Sequence, residues 1–337
     1  MIGSYHGAPG MAMFSIGHEK KAQSLLYSIL LLPCVQELPD FSEKSLQKEH
    51  KDMTDEKAGP QVSIVSDSAS SIPKELRRQY GISLVPIWVQ IGSESLKEGV
   101  DLTVDEFYKR LDGPHMPSTS APPPSDFVEV YRQLAKKVKD IISIHIASTA
   151  SATFSVASLA AKSVPEANIT VYDSGSVSMG VGFLVLEAAR CALRGLKKDE
   201  ILARLDSLKS RIFAFAAIPT LKYLRRSGRV SRGRAALASL LSIKPILEIK
   251  DGVIGVVDQV RTFPRALARV LDLAKGVAGK RPAVVAVIHA NAPDAANEFA
   301  DRVKKHLNVR ELIVEEAGPT LAVHGGPGLI GIVLYTL

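Results

Sequence analysis

Ile141-Ile142-Ser143-Ile144-His145-Ile146-Ala147 runs directly into Ser148-Thr149-Ala150-Ser151-Ala152-Thr153. The first seven residues have the length and apolar character of a buried strand, and a helix candidate begins at Thr153 and extends to Lys162. The join is made of small hydroxyl residues and alanines. The same strand–loop–helix order repeats to either side. Strand candidates are Val62–Val65, Leu84–Ile91, Ile169–Tyr172 and Ile212–Ile218. Between them lie helix candidates Pro73–Tyr80, Val104–Leu111, Asp126–Lys139 and Gly182–Leu193. Pro73 suits a first helical turn, and Ser125 and Asp126 suit an N-cap. Strands alternating with helices predict a parallel, Rossmann-like sheet covered on both faces.

The texture changes after about residue 206. Pro245–Ile249 and Val253–Val257 flank Lys250-Asp251-Gly252, a hairpin signal. A helix at Pro264–Gly276, a strand at Ala283–Ile288, a helix at Pro293–His306 and strands at Glu311–Glu315 and Leu329–Tyr335 follow. The expectation is an α/β chain of two domains. Residues 62–206 form the parallel-sheet domain, and residues 207–337 form a smaller α+β domain with a mixed sheet. Residues 1–60 read as a poorly ordered extension, within which Met53 is an alternative start. Its apolar run Leu25–Val35 is too short to span a bilayer, and no small-x-small cleavage site follows it.

The net charge is +7, which invites a nucleic-acid reading, but only 6% of residues are aromatic and no zinc spacing or long cationic block is present. Attraction to a membrane face, a phosphate or an acidic partner explains the charge equally well. Cys34 and Cys191 form no motif and fit a reducing cytoplasm.

Small polar residues gather where an open parallel sheet places its ligands, beyond the carboxyl ends of the strands. Ser66-Asp67-Ser68 follows the first strand, Ser148 to Thr153 the third, and Asp173-Ser174 the fourth. Thr119 and Ser120 lie in the connection before the third strand. Each cluster alone fits helix capping, but together they fit an anion site. Thr119, Ser120, Ser148 and the loop Ser151-Ala152-Thr153 supply neutral donors, with Asp67 orienting Ser68 or a neighbouring hydroxyl. The two main loops hold no Cys, His, Lys or carboxylate, so they suit holding an anion rather than attacking one. No catalytic constellation, metal site or resident cofactor is expected.

Gly326-Pro327-Gly328-Leu329-Ile330-Gly331 matches G-x-G-x-x-G, but a strand-like tail follows instead of the helix a pyrophosphate needs. The stretch 222–234 (KYLRRSGRVSRGR) holds six cations in 13 residues. It is read either as a site for an anion or phosphorylated partner, with Arg226 and Arg229 prominent, or as a solvated face. His289 ends a strand and His324 precedes a glycine-rich turn.

At these residues the chain resembles the DegV family of bacterial fatty-acid-binding proteins. The resemblance runs from Val62 to Leu337. It is carried by V-S-D-S-A-S-S-I-P (65–73), E-G-V-D (98–101), T-S-A-P-P-P-S-D-F (119–127), S-T-A-S-A-T-F (148–154), Y-D-S-G-S-V-S-M-G-V-G (172–182), L-K-Y-L-R-R-S-G-R-V-S (221–231), I-K-P-I-L (243–247) and H-G-G-P-G (324–328). It implies a fatty acid buried between two α/β domains, with its carboxylate near Thr119 and Ser148. Arg229 and His324 then stand near the headgroup or the mouth. It also implies a carrier rather than an enzyme, one that presents the acid to a fatty acid kinase. Ala121, Ala150, Ala152 and Ser227-Gly228 depart from the family pattern. Ala150 would widen the pocket, and Ala152 would stiffen the headgroup loop. A phosphotransferase-like enzyme and a nucleic-acid-binding regulator are the alternative readings.

Overall fold

The computed structural model describes residues 61–111, 113–232 and 243–337. The expectations for residues 1–60, including Met53 and Cys34, lie outside the described residues, as does the end of the basic stretch.

The first half is built on four parallel strands. β1 (Val62–Asp67) is central, with β2 (Ser83–Val85) on one side and β6 (Asp140–His145) on the other; β7 (Asn168–Asp173) lies beyond β6. The apolar run Leu84–Ile91 is two strands rather than one. Pro86 has no N–H to give a ladder and disfavours continuation, so the chain leaves the parallel sheet there. It resumes as β3 (Trp88–Ile91), the centre of a small antiparallel sheet with β4 (Glu94–Lys97) and β5 (Ser118–Ser120). Thr119 and Ser120 therefore sit on a strand, not in an irregular connection.

Helices α1 (Lys74–Gln79), α2 (Val104–Leu111), α3 (Pro124–Ala135), α4 (Thr153–Ala161) and α5 (Met179–Leu193) match the sequence expectation in place and type. The start of α3 differs. Pro124 occupies the first turn and Pro123 the cap position, with no side-chain cap bond, so Ser125 and Asp126 lie inside the helix. A proline at the first turn forfeits no hydrogen bond. Phe127 and Tyr131 on α3, Ala157 and Ala160 on α4, and Val65 and Ile141 on the sheet form one buried core. α5 is buried nearly all round, as an evenly apolar helix must be. It packs on β1 and β6 and reaches the second half of the chain. α6 (Lys198–Lys209), which follows, had no sequence counterpart among the expected elements.

The second half carries a seven-stranded mixed sheet. Its strands are β8 (Phe213–Ala217), β9 (Val230–Arg232), β10 (Lys244–Lys250), β11 (Val253–Val260), β12 (Ala283–His289), β13 (Val309–Glu316) and β14 (Ile330–Thr336). Their spatial order is β13-β12-β14-β8-β10-β11-β9. The expected hairpin is present: Lys250 pairs with Val253, and the two turn residues have positive φ, 52° at Asp251 and 74° at Gly252. β14 is indeed a strand, which removes the nucleotide-loop reading of Gly326–Gly331.

Side chains alternate across this sheet. Ala217, Ile246, Val285, Val287, Ile330, Ile332 and Leu334 pack with α8 (Phe263–Ala278) and α9 (Pro293–His306). Their neighbours of opposite parity, Ala214, Ala216, Leu247, Ile249, Ile288, Gly331 and Val333, face the other way, where among the described residues no long helix of this half covers them and Leu224 packs on Ala216 and Leu247. Two short helices the sequence reading did not place, α7 (Lys222–Ser227) and α10 (Pro319–Gly325), complete the half. α10 packs on the small sheet, where Ala322 and Val323 join Val89, Ile91, Leu102 and Phe107 in a shared core.

Candidate functional site

The face of the mixed sheet opposite α8 and α9 closes over a cavity of about 340 Å³. Ala214, Ala216, Leu247, Ile249, Gly331 and Val333 line it from the sheet; Ile87, Ile146 and Val177 line it from the first half. Small residues at positions 214, 216 and 331 are what leave the space. The polar part comes from Thr119 and Ser120 on β5, Ser151 and Ala152 at the start of α4, Ser178, Thr320, His324 and Arg229. Ser120 and Arg229 are both exposed and lining, so the cavity reaches the surface at this polar part.

Thr119 Oγ1 and His324 Nε2 lie 3.0 Å apart, joining residues 205 positions apart in the chain. The other ring nitrogen, Nδ1, is buried and has no hydrogen-bond partner. Burial, reinforced by the Arg229 charge, pushes the His324 pKa down to about 4. The ring is therefore neutral near pH 7, with one nitrogen donating and one accepting. Arg229 turns its Nη1 to the Ser227 carbonyl at 2.6 Å instead of pairing with a carboxylate. Ser151 Oγ and Thr153 Oγ1 are 2.8 Å apart, and Ser151 Oγ also accepts from the Thr153 N–H at 3.3 Å.

Several expected site residues are elsewhere. Ser148 is exposed and does not line the cavity; its N–H and hydroxyl both donate to Asp173, the hydroxyl at 2.5 Å. Thr153 is buried behind Ser151 rather than lining the space. Arg226 is exposed on α7, off the lining. Asp67 does not orient Ser68. It accepts from the N–H groups of Ala69 and Ile146, both at 3.0 Å, and bonds His145 Nδ1 at 2.9 Å. His145 Nε2 meets Ser143 Oγ at 2.7 Å, and Ser143 accepts from the Tyr131 hydroxyl at 2.8 Å. These four side chains are fully buried and none lines the cavity, so the Ser–His–Asp order here is a structural clamp between β1 and β6. Ser68 instead donates to Glu98 and accepts from the Ile87 N–H at 3.0 Å. Glu98 and Thr320 were the functional-region residues sequence reasoning missed; the only signal was the E-G-V-D stretch itself.

Among the described residues no group of three or more His, Cys, Asp or Glu side chains is placed to hold a metal ion. Nor is any described helix long and apolar enough to cross a membrane.

The fold and the cavity define a three-sheet α/β protein with an apolar chamber whose polar end is built from hydroxyls, His324 and Arg229. The chain belongs to the DegV family: the family model described as "Uncharacterised protein, DegV family" matches residues 61–337. A DegV domain-containing protein of Streptomyces coelicolor is 35% identical over 81% of this chain and 98% of its own length. Protein DegV of Bacillus subtilis is 32% identical over 80% and 98%. Among solved structures, the fatty-acid-binding DegV family protein of Thermus thermophilus superposes with a TM-score of 0.78 at 31% identity, covering 82% of this chain and all of that one. DegV of Bacillus subtilis, a fatty acid binding protein, gives 0.77 at 32%, covering 83% of this chain and all of its own.

Proposed function

We propose that this protein binds a long-chain fatty acid in the cavity and presents its carboxylate to a fatty acid kinase. One observation carries the reading: an apolar chamber ends in a cluster of neutral donors, Thr119, Ser151 and His324, beside a cation, Arg229, whose Nη1 donates to the Ser227 carbonyl. Burial of an acyl chain gains about 0.8 kcal/mol per methylene, so roughly 14 methylenes offer about 11 kcal/mol before association costs. The headgroup must then only be satisfied, since a buried unpaired charge is expensive. The unpartnered His324 Nδ1 suits this need. With Nε2 accepting from the Thr119 hydroxyl, Nδ1 carries the proton and donates to the carboxylate. Ser151 and the N–H groups at the start of α4 offer further donors. Donors without formal charge leave the carboxylate nucleophilic, as phosphorylation by a kinase requires. The fatty-acid-binding relatives of Thermus thermophilus and Bacillus subtilis support the ligand class.

Arg229 lies at the polar end of the chamber, and with the exposed Arg225 and Arg226 earlier in the same basic stretch it suits an acidic or phosphate-bearing surface of the kinase, or passing contact with an anionic membrane while ligand exchanges. Such a carrier works in the cytoplasm, where the nucleotide is.

The test is mass spectrometry of lipid extracted from the purified protein, followed by displacement assays. Thr119→Val and His324→Leu are each expected to weaken fatty-acid binding about tenfold with the fold retained. Incubation of the loaded protein with a fatty acid kinase and ATP should yield acyl phosphate. Absence of bound lipid together with unchanged affinity in both variants would reject the reading.

A further inference from the structure

Two separate ties join the small sheet to α10. One is the Thr119–His324 contact in the cavity. The other lies behind it. Glu98, at the end of β4, is buried, and its carboxylate accepts from the Thr320 N–H at 3.1 Å and the Thr320 hydroxyl at 2.6 Å. Ser68, in the turn after β1, donates to the same carboxylate. Among the described residues Glu98 has no ion-pair partner, and three neutral donors hold its carboxylate. Its own N–H donates to the Ile87 carbonyl at 3.0 Å, beside the Pro86 break.

The elements are the same in both ties. β4 and β5 both pair with β3, so Glu98, the residue after β4, and Thr119 on β5 are carried by one sheet. Thr320 and His324 are one helical turn apart on α10. We propose that Glu98 is the positioning residue for the polar end of the cavity: by gripping Thr320 it fixes the rotation and height of α10, and so places His324 against Thr119. The proposal rests on the fatty-acid reading only for its effect on affinity; the placement of His324 is a property of the empty protein. Burial pushes the Glu98 carboxyl up from the usual carboxylate range, while the bonds from Ser68 and Thr320 pull it back, so its three donors oppose neutralisation. Gly318 fits the same picture. Its φ of −64° would admit any residue, but a Cβ there would collide with the Glu98 carboxylate. Glycine thus leaves the approach to Glu98 open.

The test uses Glu98→Gln, Thr320→Val, Thr320→Ser and Gly318→Ala in the full chain, with two readouts. The first is the NMR signals of the His324 ring in the ligand-free protein, with Thr119→Val as the reference for a broken contact. The second is the affinity for oleate. Glu98→Gln, Thr320→Val and Gly318→Ala are expected to move the His324 signals toward those of Thr119→Val and to weaken oleate binding about tenfold. Thr320→Ser, which keeps both donors to Glu98, should leave the His324 signals at wild-type positions. A purely structural Glu98 would lower the unfolding temperature without moving the His324 ring. Unmoved His324 signals in folded Thr320→Val and Gly318→Ala would overturn the proposal, and those two variants decide it even if Glu98→Gln fails to fold. Should the wild-type protein bind no fatty acid, the functional reading falls, while the ring signals still decide the placement of His324.

Discussion

His324 is held where burial and the Arg229 charge act in the same direction, both against the imidazolium. Its pKa of about 4 in the folded protein lies below the ordinary 6.5. Between those values the unfolded chain binds more protons, so acid favours unfolding. The contribution is complete above about pH 6.5, falls as the pH drops, and levels off below about pH 4; its full size is on the order of 3 kcal/mol. Urea unfolding at pH 7 and pH 4.5 should show a loss in the wild type that shrinks in His324→Gln. An equal loss in both would place the acid sensitivity elsewhere. At this scale the sequence was informative about single side chains and blind to their partners. Thr119, Ser151, Arg229 and His324 all line the cavity. Ser148 is drawn off the lining by a group the sequence places 25 residues on, Asp173. Glu98 looked like any acidic turn residue, since its value comes from Thr320, 222 positions away.

Strands and helices of ordinary length were readable from periodicity, while short elements held by tertiary contacts were not. β3 and β5 exist because Pro86 ejects the chain from one sheet and another edge is available. α10 has only seven residues, too few to stand alone, and depends on the small-sheet core and the Glu98 grip. The clamp between β1 and β6 belongs to this scale too. In a directional chain, Tyr131 donates to Ser143, Ser143 to His145 and His145 to Asp67, all of them buried. Tyr131→Phe removes the outermost donor alone, and should cost about 1 kcal/mol in denaturant unfolding while leaving ligand affinity unchanged. A loss of affinity would mean that the clamp shapes the loop after β6.

For the whole molecule the informative asymmetry is that the mixed sheet covers one face with α8 and α9 and turns the other to the chamber. The parallel sheet and the mixed sheet followed from the sequence; the small antiparallel sheet and the chamber did not, because the chamber lining is drawn from segments that are far apart in the chain and individually unremarkable as core residues. The space depends on alanine and glycine in adjacent strands. Ala214→Phe would put a ring into it from β8. Long-chain acids should then bind at least about tenfold more weakly, with shorter acids less affected, as titration across chain lengths would show. Uniform affinity at all lengths would mean that the acyl chain does not lie along this face.

β14 sits between β12 and β8 although it follows both in the chain. On the ribosome every other strand of that sheet is therefore made first, and β12 and β8 wait with facing unpaired edges. A nascent chain halted before Ile330 displays a gap shaped for a strand, open to capture by a neighbouring copy or by a chaperone. The same insertion that completes the chamber floor makes its biogenesis depend on a late step, and damage to the β14 segment would surface as aggregation before it surfaced as lost binding.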